Sequence, residues 1–124
     1  MYQLRIYTLR TAEALEQYAT VHWPRHIPSL RAFGVTTHGI WTERDAAAHR
    51  LVALISYPDG ADPAVVTSAY MASPEFAADM DGFDVGNIVD VEELLLVLQQ
   101  RPEISGSAGV VGFAGGGLAA TSPA

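Results

Sequence analysis

The stretch RLVALISY, residues 50–57, runs directly into the breaker cluster PDGADP, residues 58–63. It is a nearly continuous apolar run of strand length, closed by turn-forming residues, and this marks a central strand of a sheet. Immediately upstream, ERDAAAH (43–49) has the composition of a turn, and VTTHGIWTE (35–43) is β-branched and aromatic, which predicts another strand. Further upstream, YQLRIYTL (2–9) alternates Tyr2, Leu4, Ile6 and Thr8 with Gln3, Arg5, Tyr7 and Leu9. That period is a strand with one greasy and one mixed face.

Between these strands lies a helical pattern. Thr11 can cap a helix that begins at Ala12, with Leu15, Ala19 or Tyr18, His22 and His26 on one stripe, and Gly34 ends it. Within YATVHWPRHIPSLRAFG (18–34), Pro24 and Pro28 cannot donate to the carbonyls four residues back, and each disfavours helix at the residue before it. The sequence predicts a bend or break near residue 23 and a short restart around Pro28, leaving a cleft over the sheet. Downstream of the breaker cluster, a helix is expected over residues 63–80, restarting at SPEF with Ser73 as cap and Pro74 in the first helical position. A last strand follows over residues 85–98, although the composition of its LLLVL end suits a helix as well.

The order strand, helix, strand, strand, helix, strand is the split βαβ pattern (βαββαβ) of an α+β, ferredoxin-like sandwich. One face of such an antiparallel four-stranded sheet lacks helices. If Arg5 and Tyr7 lie there among apolar neighbours, a second copy packed sheet to sheet covers them, and a homodimer is expected. Residues 1–100 form this domain. Residues 101–124, rich in Gly, Ala and Ser, are expected to be a flexible tail in which GVVGF could dock on a surface.

The chain has 124 residues, no cysteine, seven arginines and no lysine, a bias we associate with a GC-rich bacterial genome. Residues 1–50 hold six arginines against four acids, whereas 51–100 hold nine acids and no base, and the total is −7. Binding to a phosphate backbone is disfavoured, so no nucleic-acid partner is expected. No membrane span or leader is visible, and a cytoplasmic location is expected.

The opening YQLRIYTL, the helix ending W…P…RAFG, the strands GIWTE and LVALISYPD, and MASPEFAADM together resemble the NIPSNAP family of the dimeric α/β-barrel superfamily. HWPRHIP is also similar to the first-helix end of the EthD-like branch. The resemblance implies a dimer whose sheets close into a barrel, with a ligand cavity in each subunit between sheet and helices. It also implies kinship with cofactor-free oxygenases and cyclases of polyketide biosynthesis, lactone isomerases and haem-handling enzymes. Typical members carry arginines after the third strand, where this chain reads PDGADPAVV, so an anion-binding role for those arginines does not carry over.

His22 and His26, four residues apart, are half of a metal site, and His38 could be a third ligand, but no glutamate stands where a general base would. We expect no metal and no cofactor. In the cleft, His22 or His26 is the acid/base candidate, with His22 ahead because it precedes the expected break. Tyr7 is a catalytic hydrogen-bond donor, with Tyr57 as the alternative. Arg5 and Arg25 are partners for an enolate or carboxylate, and Trp23, His38, Trp41 and Tyr57 are substrate-binding candidates. Ordinary packing competes for each of these, and Asp79, Asp81, Asp84, Asp90, Glu92 and Glu93 are expected to be a solvated acidic face.

The function that follows is a small cofactor-free enzyme of isomerase or cyclase type, moving a proton on an apolar or aromatic, polyketide-like molecule. The alternatives are a cofactor-independent monooxygenase using the same pocket, a non-catalytic ligand-binding or dimeric interaction module, and a haem protein with an axial histidine.

Overall fold

A computed structural model describes residues 1–44 and 46–102. The elements in order are β1 (Tyr2–Leu9), α1 (Ala12–Gln17), a π-helical turn (Tyr18–His22), α2 (Trp23–Ala32), β2 (Thr36–Thr42), β3 (His49–Ser56), α3 (Pro63–Met71), α4 (Pro74–Asp79), a 3₁₀ turn (Val85–Asn87) and β4 (Ile88–Leu96). The last strand stays extended through its leucines, and the helical alternative is not taken up. The tail expected from residue 101, and the docking of GVVGF, lie outside the described residues from position 103 onward.

Local chemistry accounts for the boundaries. Thr11, Asp62 and Ser73 each accept a backbone N–H of the helix that follows, and Pro63 and Pro74 occupy first-turn positions where a missing N–H costs nothing. Gly34, at φ 85°, reverses the chain after α2; a Cβ there would stand 2.9 Å from the Pro58 ring.

Helix 12–32 does not break. The Trp23 N–H reaches the carbonyl of Tyr18, five residues back, so the turn before Pro24 is wider than an α-turn and needs no donor from the proline. Thr20 Oγ1 donates to the carbonyl of Glu16 at 2.7 Å, satisfying an acceptor within the irregular stretch. Trp23 keeps helical angles, and Pro28 is carried inside α2. The expected bend near residue 23 is therefore replaced by a π-turn, and His22 and His26 are both buried on one side of a continuous helix.

The strands form one antiparallel sheet in the order β2-β3-β1-β4, with helices on one side: the ferredoxin-like α+β fold. β3 is central, as its apolar run implies, and Leu51, Ala53 and Ile55 are fully buried against the helices. Pairing places Gln3 beside Ile55 and Leu95, and Tyr7 beside Leu51 and Val91. Gln3, Arg5, Tyr7 and Leu9 thus belong to the helix-covered side, so the condition that Arg5 and Tyr7 lie on the open face is not met.

The open face carries Tyr2, Leu4 and Ile6 with their partners Leu54, Val52, Leu94 and Leu96. In β2 the register shifts between Thr37 and Gly39, so that His38 is an extra residue and Trp41 pairs with Val52, 49% exposed on the open side. Among the described residues, no helix is long and apolar enough to cross a membrane.

Candidate functional site

The interior between helices and sheet is unusually polar for a core. His22, His26, Gln3 and Asp79 are all buried among Tyr7, Tyr18, Trp23, Tyr70 and Phe83. Buried polar groups need partners, and these form two linked networks centred on Asp79 at the end of α4.

In the first, both ring nitrogens of His22 are engaged. Nδ1 lies 2.9 Å from the carbonyl of Asp79, and Nε2 lies 3.1 Å from the Gln17 amide nitrogen, which also donates to the carbonyl of Gly82 at 3.0 Å. An amide nitrogen can only donate, so Nε2 accepts, and the proton sits on Nδ1, where it reaches the Asp79 carbonyl. This histidine ties the helix to the chain after α4 with nothing left over for a ligand.

In the second, the Tyr70 hydroxyl donates to Asp79 Oδ2 at 2.6 Å and accepts from His26 Nδ1 at 2.5 Å. His26 Nδ1 is also 3.5 Å from Asp79 Oδ2. With its proton on Nδ1, the imidazole keeps its lone pair on Nε2. The ring stacks on Phe76 at 5.8 Å and meets Trp23 edge-on at 5.2 Å. Burial pushes the His26 pKa down to about 4 against the upward pull of Asp79, so the ring is neutral at neutral pH. Burial, reinforced by Asp79, raises the Tyr70 pKa.

Next to this chain stands a third group. Arg5 lies over the Tyr7 ring at 5.8 Å, and Tyr7 meets Tyr18 edge-on at 5.3 Å and Trp23 at 6.1 Å. Burial raises the pKa of both tyrosines. Among the described residues, Arg5 Nε and Trp23 Nε1 are buried donors with no hydrogen-bond partner. Leaving such a donor unpaired costs about 1–3 kcal/mol, so each is an unmet demand for an acceptor.

The candidates therefore divide. His22, His26, Tyr7, Arg5 and Trp23 are brought together. Tyr57 is buried at another end of the layer, where its hydroxyl donates to Gln3 Oε1 at 2.9 Å and lies 3.0 Å from Thr67 Oγ1. Arg25 is exposed and donates to the carbonyls of Asp79 and Asp81. His38 and Trp41 are on the opposite side of the sheet, His38 bonded to Ser56 Oγ at 2.8 Å and packed on Tyr2, so His38 cannot complete a site with His22 and His26.

Asp79 is not part of a solvated acidic face but the anchor of both networks. Its signal was its place on an apolar stripe, three residues after Phe76 and four before Phe83. Tyr70 and Gln17 carried no comparable signal. Among the described residues, no group of three or more His, Asp or Glu is arranged to hold a metal ion. Two grooves, one of about 420 Å³ beside Met1, Pro58 and Leu98 and one of about 460 Å³ along Glu13, Gln17 and Val21, do not include the histidines.

Fold and interior together define a ferredoxin-like α+β protein with a polar, aromatic-lined layer between helices and sheet. The NIPSNAP sequence model matches residues 2–100, and the chain belongs to the NIPSNAP family. Among solved structures it is similar to a NIPSNAP-like domain protein from Burkholderia xenovorans, with 21% identity over 82% of this chain and 88% of that one, and a TM-score of 0.65. It is also similar to the protein Atu4242 from Agrobacterium tumefaciens (16% identity, 83% and 98% covered, TM-score 0.62). A proposed antibiotic biosynthesis monooxygenase from Deinococcus radiodurans shares the fold at 11% identity, with 86% and 100% covered and a TM-score of 0.56. Comparison with curated proteins gives no match.

Proposed function

We propose that the chain is a small enzyme, working without a bound cofactor, that moves a proton on an apolar or aromatic, oxygen-bearing substrate of polyketide type and thereby isomerises or cyclises it. The observation that carries this reading is the chain from Asp79 through Tyr70 to His26. A carboxylate orients a phenol, the phenol fixes the imidazole tautomer, and burial keeps the ring neutral with its lone pair on Nε2. Arg5 Nε and Trp23 Nε1 supply unpaired donors for the substrate oxygen, where an enolate would develop charge. Tyr7 adds a hydroxyl proton at the same place. His26, rather than His22, is the proton-transfer group, because both nitrogens of His22 are already engaged.

The reading includes a homodimer formed through the open face, whose exposed Trp41, Leu94 and Leu96 extend the row of Leu4, Ile6 and Leu54. An oxygenase reading of the same interior is favoured by the fold shared with the Deinococcus protein; oxygen consumption during turnover separates the two. The decisive measurement is solvent deuterium incorporation next to the carbonyl of aromatic ketones and lactones, followed by NMR. We expect His26→Gln to slow exchange about 100-fold or more. Exchange unchanged in that variant, or a ligand held without any exchange, overturns the catalytic reading.

A further inference from the structure

Arg5 and Glu93 are direct partners across β1 and β4, on the side of the sheet that faces the helices. Arg5 Nη2 donates to Glu93 Oε2. Their surroundings differ: the Arg5 side chain is 13% exposed and that of Glu93 46%. In a guanidinium, Nε–H and the neighbouring Nη2–H form one edge that takes a carboxylate with two parallel hydrogen bonds. Glu93 uses only half of that edge, and Nε is the buried donor left without a partner.

The row around Glu93 is also unfinished. β4 is the last strand of the sheet, and Val91 and Leu95, which flank Glu93 on the same side, are 41% and 53% exposed. A charged centre reached over an apolar shelf suits a molecule with an anionic head and an apolar body.

The geometry points to an apolar monocarboxylate as the ligand of this site, one that displaces Glu93 from Arg5 and takes both N–H groups of the free edge, with its body along Val91 and Leu95. Glu93 is then the specificity-determining residue, because it competes with the ligand for Arg5. Displacement is easy for the exposed partner, since Glu93 regains water as it leaves, whereas Arg5 stays in place under the helices. A single charge is favoured over a double one, because Asp90, Glu92 and Glu93 follow each other closely along this strand. This inference names the substrate class for the site proposed above and rests on that location, but not on its chemistry.

The test is calorimetric titration of 4-phenylbutyrate and of 4-phenylbutan-1-ol into the wild-type chain and two variants. Glu93→Gln removes the competing charge and is expected to tighten acid binding about tenfold while leaving the alcohol unchanged. Arg5→Lys, which keeps the charge and loses the two-pronged edge, is expected to weaken acid binding about tenfold. Acid binding that Glu93→Gln leaves the same or weakens, or an alcohol bound as tightly as the acid, overturns the inference. Deuterium exchange without any response to Glu93→Gln leaves the catalytic reading standing alone. Acid binding that responds to Glu93→Gln, in a chain that exchanges nothing, leaves this inference standing alone.

Discussion

The two tryptophans mark the two sides of the sheet, and they invert the usual division of labour. Trp23 is almost wholly buried on the helix side, edge-on to Tyr7 and His26; Trp41 is half exposed on the open side, in a row of leucine, isoleucine and valine. The covered side is the more polar one, and most of its polar groups have partners there, the histidines and Tyr70 through Asp79, Gln3 through Tyr57 and Arg5 through Glu93. The open side is the more apolar one, the composition of a surface that meets another surface. Polarity within a closed layer points to chemistry, and greasiness on an open one points to association.

Trp23→Ala tests this contrast most severely, removing a buried ring that fixes His26 and Tyr7. It should lower unfolding stability by about 3–5 kcal/mol in denaturant titrations, whereas Trp41→Ala should change the stability of a dilute, dissociated chain by less than about 0.5 kcal/mol. Leu54→Glu puts a charge in the middle of the open row. It should weaken self-association about 1000-fold in sedimentation equilibrium with little change in circular dichroism; a wild-type chain that is already monomeric at millimolar concentration defeats the proposed interface.

The covered side should also show itself in the response to acid. His26 is neutral when folded down to about pH 4 and protonates at about 6.5 when unfolded, so the unfolded state takes up the extra proton in that interval. Stability should be complete above about pH 6.5 on this account, fall by about 3 kcal/mol as the pH drops to 4, and level off below. His26→Gln should flatten that slope, and an unchanged slope assigns the acid sensitivity elsewhere. Smallest of all, Arg25→Ala should cost no more than about 0.5–1 kcal/mol, since its bonds to the Asp79 and Asp81 carbonyls lie at an exposed helix end.

Much of this architecture is legible in the sequence, for local reasons. Alternation in residues 2–9, the caps Thr11 and Ser73, and the apolar run of 50–57 are decided by backbone geometry within a few residues, and the elements stand where those patterns put them. Less local features do not read out. The alternation of β1 separates two sets of residues but does not say which set faces the helices, and the more polar set does, because Asp79, Glu93 and the tyrosines come to it from elsewhere. Two prolines predict a break when only α-turns are considered. A change to five-residue hydrogen bonding at one turn, favoured by the packing of Tyr18, His22 and Trp23, removes the conflict. The histidines are legible by their spacing, but their partners, 57 and 44 residues away, are not, and the preference for His26 proposed above rests on those partners.

The bulge at His38 has a bearing on inheritance. The Trp41 indole lies over Gly39, where even a methyl group would come within 2.6 Å of it, and both follow the extra residue in the pairing of β2 with β3. Losing His38 itself would only close the bulge and leave Trp41 opposite Val52, whereas losing one residue between the bulge and the indole would reverse the parity there and turn the indole toward the helices. In descendants of this chain, a change of length in β2 should therefore be tolerated at position 38 and rare at positions 39–41, because the count of residues from the bulge to the indole decides what the sheet offers to its surroundings.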